Sequence, residues 1–210
     1  ASDVYKRQAM YLALISLWLR PLALEYRSKI DNNQWRKVCD LAISFSGFFP
    51  PILFGVAFGN LMQGLPFSLN SLLMVEYHGS FVDLLNPFAL LCGFVGLLMA
   101  LLQGSAWLMM KTTDALYNKA RLVAQVSAVF VASLMVLGGL TISHIDGYLI
   151  ASELNHSAVS NPLNKQAIVE TGAWLTNFEM YSWMWFAPIG SVLIPLLALI
   201  SARLKWDAIA

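Results

Sequence analysis

The chain has 210 residues, of which 58% are hydrophobic and 12% charged, with a formal net charge of +1 and a mean hydropathy of +0.64. A soluble domain of this size has no core able to hide five long apolar runs, which excludes a water-soluble fold. The near-neutral charge, with no basic patch interleaved with aromatics, gives no reason to expect nucleic-acid binding.

Residues 1–8 (ASDVYKRQ) are polar, lack an initiator Met and match neither a signal peptide nor a transit sequence. They are expected to form a non-native or disordered leader. The first apolar run covers 9–24, short of the about 20 residues that cross a bilayer core about 30 Å thick. It carries Arg20 just before Pro21 near its end. The plain reading is that Arg20 snorkels to the headgroups. The functional reading is that it faces other helices and meets a carboxylate outside this chain.

The second run, 41–62, holds Pro50-Pro51 and then Gly55 and Gly59. A proline removes a helix donor and clashes with the preceding turn, so a kink is expected here. The GxxxG spacing lets another helix approach closely. In the third run, 84–110, Asn86-Pro87 sets the helix start, while Gly93, Gly96 and Gly104 mark close contacts. Gln103 reads as an interhelical hydrogen bond rather than a ligand site. The fourth and fifth runs cover 122–143 and 181–202. The predicted fold is all-α, a polytopic transmembrane bundle of about five spans forming one domain over 9–210. The chain stops at Trp206-Asp207-Ala208-Ile209-Ala210 as if inside an inter-helix loop, so an internal piece of a longer protein is expected.

Cations set the orientation. Of the 13 Lys and Arg, 10 lie beside the connectors 25–40 and 111–121 or after the fifth run: Arg20, Arg27, Lys29, Arg36, Lys37, Lys111, Lys119, Arg121, Arg203 and Lys205. The opposite loops, 63–83 and 144–180, carry only Lys165. The positive-inside rule makes the basic connectors cytoplasmic and places the N-terminus outside. Lys6 and Arg7 run against that rule. The long outer loop is expected to include a short amphipathic helix near Lys165–Leu175.

Chemistry-bearing side chains are few. Cys39 and Cys92 have no CxxC spacing and no neighbouring His, which argues against a metal site. Asp83, Asp114 and Asp146 sit at helix mouths, where capping or interface solvation explains them. His78, His144 and His156 lie at the outer surface; none is deep in a span, so none is a compelling haem ligand, His144 being the least weak. Trp18, Trp35, Trp107, Trp183, Trp185 and Trp206 suit an aromatic belt. Neither nucleotide-binding loops nor hydrolase motifs occur. The residues alone leave a transporter or channel subunit open as an alternative, although no inverted repeat is visible.

A resemblance goes further. Arg20-Pro21, Glu25-Tyr26-Arg27-Ser28-Lys29, Trp35-Arg36, Pro50-Pro51, Gly55-Val56-Ala57-Phe58-Gly59-Asn60 and Gly64-Leu65-Pro66-Phe67 resemble subunit II of the cytochrome bd quinol oxidases. So do Leu85-Asn86-Pro87-Phe88, Ile145-Asp146-Gly147-Tyr148, Asn161-Pro162-Leu163-Asn164-Lys165 and Gly172-Ala173-Trp174-Leu175, in the same order. The resemblance covers about residues 9 to 204. It implies a multi-pass subunit in a bacterial or archaeal cytoplasmic membrane. Its partners would be subunit I, which carries the b-type haems and haem d, together with small accessory subunits, quinol and lipid. It implies no metal or haem ligand in this chain, and some members hold a structural quinone in this subunit. The complex would oxidise quinol, reduce oxygen to water and take protons from the cytoplasm. The spans bearing the family's proton-admitting carboxylates would precede residue 9, and Arg20 matches a position beside them, which makes it the candidate proton-path residue.

Overall fold

The computed structural model describes residues 2–64, 67–69, 75–77, 82–150 and 167–204. Helix α1 spans Ser2–Tyr26, α2 Asn33–Gln63, α3 Pro87–Lys111, α4 Asp114–Ile142, a short α5 Thr176–Met180 and α6 Phe186–Leu204. Two antiparallel hairpins were not foreseen: β1 (Phe67–Leu69) with β2 (Val75–Tyr77), and β3 (Asp146–Ile150) with β4 (Ala167–Thr171).

Among the described residues, four helical segments have the length and apolarity to cross a bilayer: α2, α3, α4 and Ser182–Leu204. Helix α1 equals α3 in length at 25 residues. Its mixed polarity comes from Ser2, Asp3, Lys6, Arg7 and Gln8 in its first two turns, with Arg20 and Glu25 in its second half. It already begins at Ser2, within the stretch expected to be a leader.

Helix ends extend past the apolar runs because a helix does not stop where the hydrocarbon does. Helix α2 starts at Asn33, eight residues before its apolar run: Asn32 adopts extended φ/ψ and its side-chain oxygen accepts from the Gln34 N–H at 2.9 Å. Helix α3 starts at Pro87, with the Asn86 oxygen accepting from Ala89 N–H at 2.8 Å. Only Thr112 and Thr113 separate α3 from α4, and Asp114 turns the corner at φ +58°. That is left-handed backbone, which Asp tolerates better than most residues.

Each long helix packs mainly on the one before it: α1 on α2, α2 on α3, α3 on α4, and α4 on α6. Small residues make the contacts. A Cβ placed on Gly55 would lie 2.7 Å from Gly93 Cα and 2.8 Å from the Cys92 carbonyl carbon, and one on Gly59 would lie 2.7 Å from Ala89 Cα. Ala89, Ala128 and Ala202 are fully buried, while Trp18, Phe54, Phe58, Leu61 and Phe130 point outward. Small residues inside and large apolar ones outside is the distribution of helices packed in lipid, where burying leucine gains nothing over leaving it among acyl chains. Gly104 departs from the sequence expectation, because nothing lies within 4 Å of its Cβ position.

One end of the row carries the basic connectors; the other carries the hairpins. At the hairpin end Gly64 adopts φ +83°, and a Cβ there would meet the Tyr148 ring at 2.7 Å. The loop before α4's partner hairpin closes through Gly172 N–H to Ile145 C=O at 3.0 Å and Thr171 Oγ1–H to Asp146 Oδ1 at 2.7 Å. The helix expected near 165–175 is therefore strand β4 followed by a single turn of 3₁₀ helix, Ala173–Leu175. Ile168, Val169 and Thr171 favour a strand, and Gly172 at φ +78° ends it.

Candidate functional site

Within the membrane-spanning row, the polar group that matters most is Arg20. Helix α2 stays helical through Pro50-Pro51, so each proline withholds the N–H that would bond the carbonyl four residues earlier. For Pro50 that carbonyl belongs to Ser46. The Arg20 guanidinium fills the gap: Nη2–H donates to the Ser46 carbonyl oxygen at 3.2 Å, and Nε–H donates to Ser46 Oγ at 3.4 Å. Ser46 is almost fully buried and its hydroxyl donates to Ile43 C=O at 2.7 Å. Gly47 completes the seat, since a Cβ there would stand 3.4 Å from Arg20 Nη2.

The node lies six residues along α2 from Asp40, or about 9 Å at the helical rise of 1.5 Å per residue. Asp40 itself accepts from Arg27 Nε–H at 2.6 Å and Nη2–H at 3.2 Å. That hydrogen bond pushes the Arg27 guanidinium above its ordinary pKa. Around it Lys29 pairs with Glu25 at 3.0 Å and Arg36 with Asp31 at 2.9 Å, and Trp35 Nε1–H donates to Tyr26 C=O at 3.0 Å. The basic end thus has its own exposed layer of ion pairs, and Arg20 turns instead onto α2. Of its five N–H donors, two are used on Ser46; the other three meet no acceptor among the described residues, and the side chain lies on the exposed side of the α1–α2 pair.

Three further polar contacts escaped the sequence reading. Asn60, buried near the end of α2, donates through Nδ2 to Val56 C=O at 2.9 Å and Leu84 C=O at 2.6 Å, and accepts from Asn86 Nδ2 at 3.0 Å. It clasps the outer end of α2 to the start of α3. Arg121 donates to Ala202 C=O at 2.7 Å and Arg203 C=O at 2.9 Å, capping α6 with a cation where the helix dipole favours one. Trp174 Nε1 is buried with no acceptor among the described residues. The usable signal was the proline offset for Ser46 and, for Asn60, an amide inside a long apolar run.

Other candidates are placed as follows. Gln103 is exposed on α3, and the expected interhelical bond is not found among the described residues. Cys39 is buried and Cys92 half-buried, both as free thiols. Asp114 opens α4 after the N-cap Thr113, which makes no side-chain cap bond, and accepts from Thr113 Oγ1–H at 3.2 Å, while Asp146 closes the β3–β4 hairpin rather than a helix. His144 lies beyond α4, with Nδ1 3.0 Å from Ser143 Oγ and 3.2 Å from Leu140 C=O. His78, His156, Lys165 and Trp206 lie outside the described residues. An apolar cavity of about 470 Å³ is lined by α2, α3, α4 and α6, among them Phe58, Cys92, Met99, Met135 and Pro188.

Haem needs an axial ligand inside a dry pocket. No described helix carries a histidine, and no three of His, Cys, Asp and Glu cluster among the described residues. The described helices therefore offer a haem no histidine.

Long antiparallel apolar helices with a small-residue interior define a multi-pass membrane protein of the helix-bundle class. Residues 6–209 match the family described as cytochrome bd terminal oxidase subunit II, and the chain belongs to that family. It is 49% identical over 189 residues to a probable cytochrome oxidase subunit 2 of Haemophilus influenzae, covering 90% of this chain and 50% of that one. It is 44% identical over 197 residues to cytochrome bd-I ubiquinol oxidase subunit 2 of Escherichia coli, covering 93% and 52%. The chain spans about half the length of these curated relatives. The solved bd oxidase of Geobacillus thermodenitrificans superposes with a TM-score of 0.55 at 12% identity, over 99% of this chain and 61% of that chain, a likeness of fold. The transporter or channel alternative finds no support in these matches.

Proposed function

We propose that this chain works as subunit II of a bd-type terminal oxidase, supporting quinol oxidation coupled to reduction of oxygen to water. The observation that carries this reading is the family match, which runs over residues 6–209 and so takes in every long helix and the Arg20–Ser46 node. The b-type haems and haem d belong to subunit I, in keeping with helices that hold no histidine among the described residues. Small accessory subunits and lipid complete the complex in a bacterial or archaeal cytoplasmic membrane. The basic connectors face the cytoplasm by the positive-inside rule, with the hairpins on the far side.

Within that complex Arg20 stabilises an acidic group on a helix beyond α1 and α2, on the route by which protons enter from the cytoplasm. Three of its N–H donors meet no acceptor among the described residues, and a carboxylate is the strongest acceptor that could take them. Membranes from a strain lacking every other terminal oxidase test the function. Deleting the gene for this chain abolishes quinol-dependent oxygen uptake, and the full-length gene restores it. Undiminished uptake after deletion refutes the assignment. Arg20→Leu slows oxygen reduction while haem spectra stay intact; unchanged turnover removes Arg20 from the proposal.

A further inference from the structure

We infer that Pro50 is a positioning residue for Arg20: by freeing the Ser46 carbonyl, it creates the acceptor that aims the guanidinium. This deepens the reading of Arg20 given above and rests on it. The bond from Nη2 to the Ser46 oxygen is available because residue 50 has no N–H to occupy that oxygen. The second contact, Nε–H to Ser46 Oγ, fixes the plane of the guanidinium rather than its distance alone. A Cβ at Gly47 would only touch Arg20 Nη2, at 3.4 Å, so it takes a larger, branched side chain there to crowd the guanidinium. Held on this edge, the planar fork presents Nη1 and the second Nη2 hydrogen away from α2, on the exposed side of the pair. A lysine could satisfy the carbonyl but not hold two fixed directions at once.

The α1–α2 pair thereby seats a cation on backbone and hydroxyl oxygens of α2, while Glu25 and Asp40 of the same helices pair with Lys29 and Arg27 instead. The desolvation of the guanidinium is offset in part by a backbone carbonyl that would otherwise lack its own partner. Proline and arginine are one device: each supplies the group the other lacks.

Pro50→Ala in the full-length protein, purified within its complex, separates this device from a plain helix kink. Alanine removes a helix-breaking ring and returns an N–H to Ser46, drawing the carbonyl back into the helical ladder. The complex stays assembled, KM for quinol is unchanged, and kcat falls by up to about a hundredfold, the scale on which misplacing a group slows a reaction. Arg20→Leu gives a loss at least as large, and the double variant is no slower than Arg20→Leu alone. Should Pro50→Ala not assemble, Gly47→Val carries the test, since it crowds the guanidinium off its seat while leaving Pro50 and Arg20 in place; kcat then falls with KM unchanged. A Pro50→Ala or Gly47→Val complex with wild-type kcat overturns the inference, as do losses that simply multiply in the double variant. A wild-type complex without quinol oxidase activity instead overturns the functional assignment.

Discussion

Replacing Gly55 by alanine should separate α2 from α3. The added methyl carbon would sit 2.7 Å from Gly93 Cα and 2.8 Å from the Cys92 carbonyl carbon, both backbone atoms with no rotamer to escape into. Carbon pairs rest near 3.5–4.0 Å, so the helix axes must part by roughly 1 Å. A gap of that size forfeits a quarter to a half of each contact's attraction along the seam, and overpacking of this kind costs about 1–3 kcal/mol. Gly96 lies on the same seam, where its Cβ position is 2.8 Å from the Pro51 carbonyl oxygen. Gly104→Ala is the control: its Cβ position is open, so the higher helix propensity of alanine makes it neutral or stabilising by up to about 1 kcal/mol. Thermal unfolding of the detergent-solubilised complex, followed by circular dichroism, reads both. An unchanged Tm for Gly55→Ala, or an equal loss for Gly104→Ala, refutes packing through this seam.

Asn60→Leu leaves the Leu84 carbonyl and the Asn86 amide without their partner and should cost about 1–3 kcal/mol in the same melt. Gly64→Ala suffers both from φ +83° and from the Tyr148 ring; adding Tyr148→Ala relieves the clash but not the backbone strain, so a double-mutant cycle shows partial rescue. Arg121→Met uncaps α6, and amide hydrogen exchange over its last turn should quicken while that of α3 does not. Compartment reporters inserted after Lys29 and after Thr171 should give opposite signals; a common signal contradicts the antiparallel crossing of α2, α3 and α4.

The spans were legible because apolar runs long enough to cross a bilayer leave few alternatives. Their ends were less so: Asn33–Asp40 is polar and reads as a connector, yet the Asn32 cap carries the helix through it. The start of α3 was readable from Asn86-Pro87, since Asn is a favoured N-cap and Pro is well tolerated at the first helical position. The β3–β4 hairpin was not, because its register depends on pairing residues some twenty apart across a long loop. Arg20 was singled out for its charge and depth, but its partner was not. Ser46 is ordinary in sequence, and only the rule that a proline frees the carbonyl four residues earlier would have pointed to it. That Gln103 finds no interhelical bond among the described residues, and that Gly104 faces open space, likewise depends on the arrangement of helices rather than on spacing.

The most direct measurement is the reduced-minus-oxidised absorption spectrum of whatever co-purifies with the tagged full-length protein. A bd-type subunit II brings down b-type haem and haem d together, with oxygen uptake driven by added quinol. A haem-free preparation of the intact, membrane-extracted protein contradicts the account.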